Sequence, residues 1–150
     1  MEDLKQIIEI NNDLIKAKEN LNNHTIALVK NNVIIVSEKK GISPMMDYIK
    51  DGVDLNGFSV ADVIVGKAVA LLFVKEGIKN VFAKVISKAG LEVLKEYKIY
   101  TEYETLTDNI INRKGTDICP MEKTVLEISD PSYAYEKLKE TLSLLKNNNG

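Results

Sequence analysis

Ser59-Val60-Ala61-Asp62-Val63-Ile64-Val65-Gly66-Lys67-Ala68-Val69-Ala70-Leu71-Leu72-Phe73-Val74 is the stretch on which the fold turns. Its apolar residues fall on every side of a helical projection, the pattern of a helix buried all round. Ser59 with Asp62 three residues on has the spacing of a capping box, with Asp in place of Glu. The stretch is too short and too charged to span a bilayer, which takes roughly 20 mostly apolar residues. The expectation is one central core helix over residues 59–74.

Outward from it, Thr25–Lys30 and Val33–Ser37 are two β-rich runs separated only by Asn31-Asn32. Asparagine tolerates the left-handed backbone of a tight turn, so the pair reads as a hairpin. Leu4, Ile7, Ile8, Leu14, Ile15 and Leu21 fit a one-sided helix before it. Ser43–Lys50 is a short helix with Ser43 as cap and Pro44 at its first position, closed by Gly52. After Gly77 come a strand at Val81–Ile86, a helix at Leu91–Tyr97 and a strand at Ile99–Tyr103. Thr105–Ile118 fits neither period and reads as a long polar loop, a kind of segment that is often functional. One closing helix begins at Cys119-Pro120, and a second has Asp130 as cap and Pro131 first. The expectation is an α/β fold, a three-layer α-β-α arrangement around a mixed sheet. Residues 1–146 form a single domain, and 147–150 an Asn-rich disordered tail.

Formal net charge is −2 with pI near 5.5, which advertises no surface for nucleic acid or anionic lipid. The acidic N-terminus has no leader pattern, and the single cysteine forms no internal disulfide. A cytoplasmic protein is expected, away from the membrane.

Two phrases carry a resemblance. Ser59-Val60-Ala61-Asp62 with Gly66-Lys67-Ala68, and Ile111-Asn112-Arg113-Lys114-Gly115-Thr116-Asp117 with Cys119-Pro120-Met121-Glu122, resemble those of the family known as domain of unknown function 1893. That resemblance implies a cytidine-deaminase-like fold. Zinc deaminases hold their metal with H-x-E on the central helix and P-C-x-x-C on the next. Here those helices offer Gly66-Lys67-Ala68 and Ser87-Lys88-Ala89-Gly90-Leu91, so a zinc deaminase is excluded, and no metal or cofactor is expected.

The candidate residues follow. Lys67 has apolar neighbours at three and four residues, so it either contacts an anionic ligand or snorkels to water. Asp62 is explained by capping, with ligand contact as the alternative; Gly66 admits a close ligand or packs a helix on a strand. Arg113 is the one arginine among the basic residues, and only arginine grips phosphate with two prongs. With Thr116 in the next turn it forms either a phosphate site or a structural loop. Cys119, expected at a helix start, is a candidate nucleophile, although the charge of Glu122 opposes a thiolate; a small core residue is the plainer reading. Two functions remain open: a small-molecule binding domain, its ligand a nucleoside or nucleotide, through Asp62, Gly66, Lys67, Arg113 and Thr116, or a non-zinc enzyme with Cys119 as nucleophile. A third reading is a structural partner that forms a homodimer through its sheet.

Overall fold

The computed structural model describes residues 12–149. A helix α1 (residues 12–20) leads into β1 (Ile26–Lys30) and β2 (Val33–Ser37), the expected hairpin. Asn31 takes the left-handed conformation at φ 54° and donates its N–H to Asp13 of α1. The Leu4, Ile7 and Ile8 part of the opening helix lies outside the described residues. Helix α2 (Ser43–Lys50) follows, its N-cap being Ile42 rather than Ser43, with Pro44 in its first turn.

The central stretch is not one helix. Ser59–Val65 is a strand, β3, and α3 (Lys67–Lys75) begins only after Gly66. A central strand covered on both faces is as uniformly apolar as a buried helix, so periodicity alone does not separate them. What decides is composition: Val60, Val63, Ile64 and Val65 are β-branched, whereas Ala68-Val69-Ala70-Leu71-Leu72-Phe73 is not dominated by such residues. The capping box therefore does not exist. Ser59 starts a strand, and Asp62 sits buried within it, registered between Ile26 of β1 and Ala83 of β4.

The chain continues as β4 (Asn80–Ser87), α4 (Lys88–Glu96) and β5 (Tyr100–Thr107), so β5 takes in the first residues assigned by sequence to the loop. Helices α5 (Pro120–Thr124) and α6 (Pro131–Asn149) close it, with Asp130 accepting the Tyr133 N–H at 2.7 Å.

The result is an α/β fold with a five-stranded mixed sheet in the order β2-β1-β3-β4-β5. The hairpin joins β3 antiparallel, and β3, β4 and β5 run parallel through crossovers made by α3 and α4. Side chains alternate between sheet faces. Ile26, Leu28 and Val60 share a core with α2 through α6. Val29, Ala61 and Phe82 pack with Leu14, Ala17 and Leu21 beside α1. No described helix is long and apolar enough to cross a membrane.

Candidate functional site

Both crossover helices start at the carboxyl ends of parallel strands, where free N–H groups attract anions. At α4 the need is met locally: Ser87 is the N-cap and its Oγ accepts the Gly90 N–H at 3.0 Å. At α3 the N-cap is Gly66, which has no side chain to offer.

The missing acceptor comes from α5. The Glu122 carboxylate receives the Lys67 N–H on Oε1 at 2.7 Å and the Ala68 N–H on Oε2 at 2.8 Å. A Cβ built on Gly66 would lie 2.3 Å from Glu122 Oε1, so glycine is what lets the carboxylate reach the helix. Burial pushes the Glu122 carboxyl above the ordinary carboxylate range, opposed by those two hydrogen bonds and by Lys67. The close approach foreseen at Gly66 is thus to the chain's own carboxylate. Gly90 completes the packing, since a Cβ there would lie 3.0 Å from the Gly66 carbonyl carbon.

Sequence reasoning missed the role of Glu122. The available signal was indirect: a helix that opens on glycine must borrow its cap.

Lys67 is half-buried, and its Nζ donates to the Leu126 carbonyl at 3.0 Å. This tie forms part of the wall of an open groove of about 790 Å³ between α3, α4 and the α5–α6 connection. Leu71, Ala89 and Val93 supply apolar lining, while Lys67, Glu92 and Tyr97 add polar groups and an aromatic ring.

The other candidates lie elsewhere. Asp62 is almost wholly buried in β3; burial pushes its pKa to about 8, only partly offset by the neighbouring Ile64 and Val63 backbone N–H groups. Arg113 and Thr116 are exposed in the loop after β5. That loop binds to itself: Asn112 N–H donates to the Asp117 carbonyl at 2.8 Å, and Thr116 N–H to Asn112 Oδ1 at 3.0 Å. Asp117 pairs in turn with Lys123 of α5. Cys119 is the N-cap of α5, partly buried against the main core. Its N–H donates to the Ile110 carbonyl at 2.9 Å, and its carbonyl accepts from Lys123 N–H at 3.1 Å. Histidine, the usual base for such a thiol, occurs once in the chain, and His24 lies 3.9 Å from Glu38, just before β1. Lys67, Gly66 and Glu122 are brought together; Arg113 and Thr116 share a loop; Asp62 stands apart. Among the described residues no group of three or more His, Cys, Asp or Glu side chains is arranged to hold a metal ion.

A family model for a domain of unknown function (DUF1893) matches residues 15–142. Among solved structures, a DUF1893 family protein (TM1506) from Thermotoga maritima matches with a TM-score of 0.76 and 30% identity. The match covers 88% of this chain and 89% of that one. No curated protein matches.

Proposed function

This chain belongs to the DUF1893 family, and from that premise we propose that it is a small-molecule-binding domain. Its ligand, of nucleoside or nucleotide size, lies in the groove between α3 and α4. One observation carries this reading: an apolar floor with an ammonium group, Lys67, and an aromatic ring, Tyr97, both at the groove. A planar base has a surface to stack on and an anionic group has a cation to meet. With this goes a cytidine-deaminase-like scaffold, a reading supported by the hairpin followed by three parallel strands in the order β2-β1-β3-β4-β5.

The α3 N-terminus is not the anion site in this reading, because Glu122 already holds its first N–H groups. An anionic ligand meets Lys67 Nζ instead, in exchange for the Leu126 carbonyl. Arg113 and Thr116 do not line this groove.

The test is a panel of nucleosides and nucleotides scanned by thermal shift, with affinities then measured by calorimetry. At least one member should bind, with Lys67→Leu losing roughly tenfold or more for anionic members. Tyr97→Ala should weaken nucleosides and nucleotides alike. Binding that is unchanged in both variants would place the ligand elsewhere, and a panel without any binder would remove the nucleotide assignment.

A further inference from the structure

The two edges of the sheet are built differently. β5 carries Glu102 and Glu104, the kind of charge that keeps an exposed edge from pairing. β2, at the other edge, reads Val33-Ile34-Ile35-Val36-Ser37 and carries no charge. Val33 is 53% exposed, Ile34 49% and Val36 38%. An uncharged apolar edge is a template for another strand.

Its free backbone groups can be identified. The Ser37 carbonyl accepts the Thr25 N–H at 2.9 Å, so Ser37 points its polar groups inward to the hairpin partner. By alternation Ile35 and Val33 do the same, and Ile34 and Val36 present their N–H and C=O groups outward.

We propose that this edge pairs with a second copy of the chain, β2 against β2 antiparallel about a two-fold axis at Ile35, giving one continuous sheet. In that register Ile34 of each copy faces Val36 of the other, and each such pair exchanges both N–H···O bonds. Their exposed side chains meet on one face. Within the strand no like charges are opposed, and just beyond it Glu38 falls opposite Asn32. The same two-fold operation on β5, centred on Tyr103, would set Glu102 against Glu104, which is why β2 and not β5 is the self-pairing edge. The contact is small, so it forms in proportion to concentration.

Light scattering on the eluting full chain, over dilutions from millimolar to micromolar, reads the association. The mass should rise from 16.8 kDa towards twice that value with concentration. Ile34→Lys, an exposed edge change, should weaken association roughly tenfold or more, whereas Tyr103→Lys on β5 should leave it as in the wild type. Ile35→Cys in a Cys119→Ser background should give a covalent dimer on mild oxidation, because residues on the two-fold axis come within disulfide reach. Thr105→Cys should not. A single-chain mass at every concentration would overturn the proposal, as would association that survives Ile34→Lys. Cross-linking of Ile35→Cys no better than Thr105→Cys would do so too. A chain that stays single while β2 takes up a free apolar peptide would assign the edge to a foreign strand and equally overturn self-pairing.

Discussion

The β3–α3 and β4–α4 junctions solve the same problem by opposite means. Each parallel strand hands over to a helix whose first N–H groups need acceptors. At β4–α4 the acceptor is Ser87, three residues from the N–H that it binds. At β3–α3 it is Glu122, 54 and 55 residues away from the residues whose N–H groups it binds, and Gly66 is there to make room. A local cap stabilises one helix end. A remote cap also joins two elements, so α5 and α3 lose their relative position together. The strands differ as well: Asp62 of β3 is the register partner of Ala83 in β4, and only β3 carries a buried acid.

The largest effect expected from this difference is that of Glu122→Ala. Two partly buried donors lose their acceptor at ~1–3 kcal/mol each, so stability should fall by roughly 2–6 kcal/mol in denaturant melts. Glu122→Gln, which keeps one acceptor oxygen, should fall between. A loss below that of an ordinary cap would mean that water replaces the carboxylate without cost.

The next effect concerns the strands. The unfolded chain ionises Asp62 near 3.8, whereas the folded chain holds the proton to about 8. Folding therefore takes up a proton between those values, and the stability from this group, complete below pH 4, is lost as pH rises towards 8. The slope approaches about 1.4 kcal/mol per pH unit inside the window. Asp62→Asn should flatten stability between pH 5 and 8, measured by melts across that range, while Ala83→Ser at the partner position should leave the slope in place. A wild-type curve that is already flat would show that the acid ionises without penalty.

The smallest effect is that of Ser87→Ala, about 1 kcal/mol, the usual cost of one N-cap. Amide exchange should quicken within the first turn of α4 and leave α5 protected. Under Glu122→Ala, exchange should quicken in both α3 and α5.

What the sequence made legible follows the same division. The hairpin, α2 and the Asp130 cap were readable because their signals lie within a few residues: Asn31-Asn32, Pro44, Asp130-Pro131. Residues 59–74 were misread because a strand buried on both faces and a helix buried all round share one hydrophobic pattern. That misreading displaced Asp62 from a helix cap, where it would be partly solvated, into the sheet interior. The importance of Gly66 and Lys67 was visible; their partner Glu122 was not, since no local pattern records a contact that spans the β4-α4-β5 unit. The groove beside Lys67 was likewise invisible, because Tyr97 and Leu126 reach it only through tertiary packing.

The central claim is that Gly66 is glycine because Glu122 caps α3, and a double-mutant cycle measures it directly. Gly66→Ala alone should be destabilising, as its methyl group occupies the carboxylate's place. Once Glu122 is already alanine, the same substitution meets space and should cost much less. The two changes should therefore be non-additive in denaturant melts, the double variant losing at least about 1 kcal/mol less than the sum of the singles. Additive losses would contradict the claim, and would mean that Gly66 is kept for its backbone alone.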